Sequence, residues 1–103
     1  MAKPKLSPAD EKFIAKFFPN LNFDANKTFT RSNPFSGETV EVDPICAAAI
    51  DFVFKLQNAM QRNEAAVKAV HPELKMSNAV MNFDRARMLV LKLNSKAYMT
   101  ILD

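Results

Sequence analysis

Apolar residues recur along this chain with two different periods, and the change of period marks its elements. Phe13, Ile14, Phe17 and Phe18 follow at helical spacing behind Ser7-Pro8-Ala9-Asp10-Glu11. Ser7 is placed to cap that helix and Pro8 suits its first position, where a missing N–H costs nothing. Asp10 and Glu11 favour the positive end of the dipole. Pro19-Asn20 predicts the end of this first helix. Lys27-Thr28-Phe29-Thr30-Arg31 and Thr39-Val40-Glu41-Val42 then alternate in polarity and are rich in β-branched residues, which predicts a short hairpin. Between them lies Ser32-Asn33-Pro34-Phe35-Ser36-Gly37-Glu38, where Pro34 presets a turn and Gly37 can take the positive φ of a bulged closure. An isolated two-stranded ribbon is marginal in water, so this one is expected to pack on helices or on another strand.

Asp43-Pro44 opens a second helix by the same logic of cap and proline. Ile45, Ala49, Phe52, Val53, Leu56 and Met60 make one stripe, and Cys46, Ile50 and Phe54 widen it, as expected for a central helix with several neighbours. Asn63-Glu64-Ala65-Ala66 continues it or begins a short third helix, with a stop near His71-Pro72. Ser77 reads as the cap of a last long helix. There Val80, Met81, Phe83, Ala86, Met88, Leu89, Val90, Leu91 and Leu93 nearly encircle the axis. Such a helix is either the buried spine of the fold or in part an interface. Asn94-Ser95 is placed to break it and cap a final turn. The expectation is a mainly α (α+β) fold, three to four helices with one short β-hairpin between the first and second. Residues 1–6 read as a flexible basic arm and 7–103 as a single small globular domain.

Composition adds exclusions. With 103 residues, 49% hydrophobic and 24% charged, wholesale disorder is not expected. No apolar run reaches the roughly 18–20 residues of a membrane span. Met1-Ala2-Lys3-Pro4-Lys5 lacks the apolar core of a secretory signal, so the sequence points to the cytoplasm. The one cysteine, Cys46, permits no internal disulfide, and Asn26-Lys27-Thr28 reads as a chance sequon. The net charge of +3 is uneven: residues 1–31 carry +3, 32–54 carry −4 and 55–103 carry +4. That arrangement suits internal complementarity, or a dipolar surface, as well as it suits a polyanion.

The catalytic inventory is thin. Cys46 sits in the first turn of a helix, where a dipole lowers a thiol pKa, but Ala47-Ala48-Ala49 suit a small buried residue. Its only potential base is His71. One His and one Cys do not make a zinc site, no Ca²⁺ loop is present, and a lone Gly37 excludes glycine-rich phosphate loops. No cofactor is expected, and no enzyme. Asn33-Pro34-Phe35 coincides with a tripeptide that some adaptor domains bind. At a hairpin tip its phenylalanine either folds back onto the core, the commoner outcome, or projects as a docking anchor. Met76, Met81, Met88 and Met99 are expected to fill gaps in the core; their other use is an adaptable surface for partner helices.

Arg85, Lys92 and Lys96 fall on one line if the last helix is unbroken. A solvated stripe is the ordinary use of such a line, contact with phosphates the other. A helix-turn-helix reading fails because residues 86–93 are mostly apolar. Taken together, Asn33-Pro34-Phe35-Ser36-Gly37-Glu38-Thr39-Val40-Glu41-Val42, Ala49-Ile50-Asp51-Phe52, Asn82-Phe83-Asp84-Arg85-Ala86-Arg87 and Tyr98-Met99-Thr100-Ile101-Leu102-Asp103 resemble small bacteriophage-encoded proteins. The resemblance spans roughly residues 28–103 and carries no active site. It implies a phage accessory or virion-associated protein in a bacterial host.

The function expected is a non-enzymatic protein–protein interaction module that binds itself or a host protein, through Phe35, Tyr98, Met99 and Leu102. The alternative is a small nucleic-acid-binding protein using Lys3, Lys5, Lys12, Lys16, Arg85, Lys92 and Lys96.

Overall fold

A computed structural model describes residues 6–24 and 26–102. The expected basic arm therefore lies, apart from Leu6, outside the described residues. Helix makes up 62% of the structure. The element order is α1 (Pro8–Phe17), β1 (Phe29–Ser32), β2 (Thr39–Val42), α2 (Pro44–Met60), α3 (Glu64–Val70), α4 (Met76–Leu93) and α5 (Ser95–Ala97), closed by a π-helical turn, Tyr98–Leu102. The hairpin lies between α1 and α2, where the sequence places it. The helix count is a correction: five among the described residues, not three to four.

Local chemistry sets the boundaries. The Ser7 hydroxyl accepts from the Asp10 N–H at 3.2 Å, and the Asp10 carboxylate accepts in return from the Ser7 N–H at 3.2 Å, a reciprocal cap. Asp43 caps α2 through the Cys46 N–H at 2.8 Å, and Asn63 caps α3 through the Ala66 N–H at 2.8 Å. Ser77 is not the cap of α4. Leu74 is fully buried and pins the chain just upstream, so the helix starts at Met76. Its first donors are served by other side chains: Glu64 accepts from the Met76 N–H at 3.2 Å, and Asn78 accepts from the Lys75 N–H at 2.8 Å. At Asn94 the backbone leaves the helical region (φ −160°, ψ 93°), and its side chain caps the next turn through the Ala97 N–H at 3.0 Å. That break separates α5 from α4 and accounts for the extra helix.

Strands β1 and β2 pair antiparallel, Phe29 opposite Val42 and Ser32 opposite Thr39. Val40 and Val42 turn inward onto the helices; the outer face is polar, with Thr28 and Thr30 donating to Glu41. Gly37 adopts φ 77°, as the bulged closure requires. An Arg31 fork holds the ribbon to α2, with Nε and Nη2 each 2.9 Å from an Asp51 oxygen.

Helix α2 is the centre, packed against α3, α4 and β1. It contributes Ile45, Cys46, Ala49, Ile50, Phe52, Val53 and Leu56 to the core. At one end Phe13, Phe17, Phe18 and Phe52 form an aromatic cluster with ring centroids 4.8–5.9 Å apart, mostly edge to face. The one buried charged residue among those described is Asp10, and Lys92 of α4 reaches it at 2.6 Å. Burial pushes the Asp10 carboxyl up, but hydrogen bonds from Lys92 and Ser7 and the Lys92 charge outweigh it and hold the group below its ordinary value. This pair ties α1 to α4.

A candidate protein-interaction surface

Asn33 organises the hairpin tip. Its Oδ1 accepts from the N–H groups of Phe35 (2.7 Å) and Ser36 (3.0 Å), and its carbonyl accepts from the Gly37 N–H at 2.9 Å. Its own N–H donates to the Glu38 carbonyl at 2.8 Å. Asparagine followed by proline is well suited to this: the short amide bonds the backbone two residues on while Pro34 fixes φ. The same residue's Nδ2 donates to the Thr100 carbonyl at 3.0 Å, so the tip is also fastened to the C-terminal turn.

On this braced turn Phe35 is 96% exposed. It does not fold back onto the core, the commoner outcome for such a residue. Met99, on the turn to which the tip is bonded, is 66% exposed. Tyr98 and Leu102 are partly buried and pack against the core. The Tyr98 hydroxyl accepts from Arg87 Nη2 at 2.9 Å, and the Arg87 guanidinium lies 5.8 Å from the centres of both the Tyr98 and Phe83 rings. Residues separated by more than sixty positions in sequence thus share one edge of the molecule. Phe35 and Met99 present apolar surface there, and Tyr98 and Leu102 brace it.

A second apolar face runs along α4. Val80 and Met81 are 63% and 61% exposed, and Met88 is half exposed; with Ser77, Asp84 and Arg85 they line a groove of about 650 Å³. This overturns the expectation that the methionines fill the core, since Met76, Met81, Met88 and Met99 are all exposed. For Met81 and Met88 the reason is geometric: α4 buries Ala79, Ala86, Leu89 and Val90, and these two project from the other side of the helix.

The break at Asn94 takes Lys96 off the line of Arg85 and Lys92, and Lys92 is committed to Asp10. Lys16 pairs with Glu73 at 3.1 Å, while Lys12 and Lys96 are exposed. Lys3 and Lys5 lie outside the described residues. Cys46 is fully buried, and burial, helped by the Asp43 charge, pushes its thiol up to about 12. His71 is occupied elsewhere, its ring against Phe17 and its Nδ1 accepting from the Glu73 N–H at 3.1 Å.

Phe35 and Met99, expected at an interaction surface, are exposed; the link that Asn33 makes between their two turns was not expected. The Asn33-Pro34 pair signals a turn; nothing local signals that its amide reaches Thr100. Comparison with protein-family models, curated proteins and solved structures gave no match.

Proposed function

We propose that this chain is a non-enzymatic protein–protein interaction module whose docking element is the hairpin tip, with Phe35 as its anchor. One observation carries the reading: a phenylalanine 96% exposed on a turn that is hydrogen-bonded at both ends. Leaving a phenyl ring in water forgoes about 1.5–3 kcal/mol of burial, which docking recovers. Holding the ring on a fixed turn lowers the ordering cost of binding, and aromatic residues are enriched at the centres of interfaces. The exposed α4 face supplies a further apolar area on the same small body. The resemblance of residues 28–103 to phage-encoded proteins points the proposal toward a virion or host protein, or a second copy of the chain. A nucleic-acid role draws less support, because Lys16 and Lys92 are already paired.

The test compares the wild type with Phe35→Ser. Sedimentation velocity measures self-association, and cross-linked capture from a bacterial lysate measures other partners. The expected result is an association that the wild type makes and the variant loses, with identical circular dichroism. No association in either assay, or equal capture by both proteins, overturns the proposal. A polyanion arm, binding of a DNA duplex at low salt, is expected to show no dependence on Phe35.

A further inference from the structure

We infer that Asn33 is a positioning residue that couples the C-terminal turn to the presentation of Phe35. Only the consequence for docking rests on the function proposed above; the coupling itself stands on geometry. The last carbonyls of any helix lack partners within it. In the turn Tyr98–Leu102, the Thr100 carbonyl finds its donor in Asn33 Nδ2, 3.0 Å away and 67 positions earlier in the chain. The other end of the same amide accepts from two N–H groups of the tip, at 2.7 and 3.0 Å.

The neighbours fix which way this amide points. Reversed, it would set its NH₂ against two N–H donors and its oxygen against a carbonyl. One planar group therefore serves as turn former on one side and as a helix C-cap on the other. The fork from Arg31 to Asp51 holds the base of the hairpin, and Asn33 adds a polar fastening nearer to Phe35. Coupling of this kind is reciprocal: whatever loosens the C-terminal turn loosens the tip, and whatever clamps Phe35 protects the turn.

Two substitutions separate the two halves of the role. Asn33→Asp keeps an acceptor for the Phe35 and Ser36 N–H groups but puts an oxygen where Thr100 needs a donor. Asn33→Ala removes both. With Asn33→Asp, amide exchange across residues 98–102 is expected to quicken about fivefold, the share of one ordinary hydrogen bond. In the same variant, ¹⁵N relaxation is expected to show greater motion at Phe35 and Ser36, while their amide temperature coefficients still report hydrogen bonding. Asn33→Ala is expected to lose that bonding too. Unchanged exchange at residues 98–102 in Asn33→Asp overturns the inference. Should that variant fail to fold, native-state exchange of the wild type decides the matter. Opening of residues 35–36 and 98–102 as one unit, with a common denaturant dependence, supports the coupling, and independent opening overturns it. All of these measurements use the isolated chain, so failure here leaves the docking proposal standing, and the loss of docking leaves this one standing.

Discussion

Helices α2 and α4 are of nearly equal length, 17 and 18 residues, and both are rich in apolar side chains, yet α2 buries ten of its residues and α4 four. The difference lies in which faces their neighbours cover. Helix α2 is packed by α3, α4 and β1, so its wide apolar face is covered. Helix α4 touches α2, α3, α5 and the C-terminal turn and buries Ala79, Ala86, Leu89 and Val90, yet leaves Val80, Met81 and Met88 in water. The hairpin repeats the contrast on a smaller scale, with Val40 and Val42 buried near its base and Phe35 exposed at its tip. The lesson is that apolar surface in this protein falls into two kinds, enclosed by the fold or left on ordered elements, and residue type does not tell them apart.

The two kinds of apolar surface differ most in chemical reactivity. Cys46 on α2 is enclosed and its thiol is pushed up to about 12, whereas a cysteine introduced by Met81→Cys sits on the open face of α4. Iodoacetamide at pH 8 is expected to label the introduced thiol within minutes and Cys46 roughly a thousandfold more slowly, at the rate of unfolding events. Comparable labelling of both, followed by mass spectrometry, would mean that α2 is not enclosed.

Next in size is Leu56→Ala at the fully buried centre of α2. It is expected to cost about 3 kcal/mol in urea unfolding, from lost burial and the cavity left behind. A loss under about 1 kcal/mol would contradict a tightly packed centre.

Smaller is the tie between α1 and α4. Asp10→Asn is expected to cost about 1–2 kcal/mol at neutral pH, since it weakens the helix cap and leaves Lys92 without its counter-charge. The pH dependence gives the sign. The folded Asp10 carboxyl titrates below its ordinary value, so its contribution is present above about pH 4 and is lost as pH falls through the folded value. Thermal unfolding between pH 6 and 3 should show the wild type losing more of its melting temperature than Asp10→Asn.

Smallest are the open faces. Met81→Ser and Phe35→Ser are each expected to change stability by less than about 0.5 kcal/mol, because neither side chain is buried. A loss above about 2 kcal/mol in chemical denaturation at micromolar concentration would mean that the face is covered in solution.

Much of this fold was legible from adjacent residues. Ser7-Pro8 and Asp43-Pro44 marked two helix starts because a cap needs only a side chain three positions from its donor. Thr39-Val40-Glu41-Val42 marked a strand, and Gly37 marked its turn, because period and φ preference are local properties. Part of the candidate site was legible in the same way, since an aromatic in an Asn-Pro turn stands out in any chain. The start of α4 was not. Ser77 had the right chemistry, but Glu64, twelve positions before the helix, supplied an acceptor one residue earlier.

Local chemistry in the sequence specified the order of helices and hairpin but not the number of helices, since caps, turns and periodicity act over a few residues. Only the tertiary structure decided which apolar residues are covered, that Lys92 answers a buried Asp10, and that Asn33 fastens the tip to Thr100. Those outcomes depend on groups 67 and 82 positions apart in the chain. Such distances are set by packing around α2, and no pattern of neighbouring side chains encodes them.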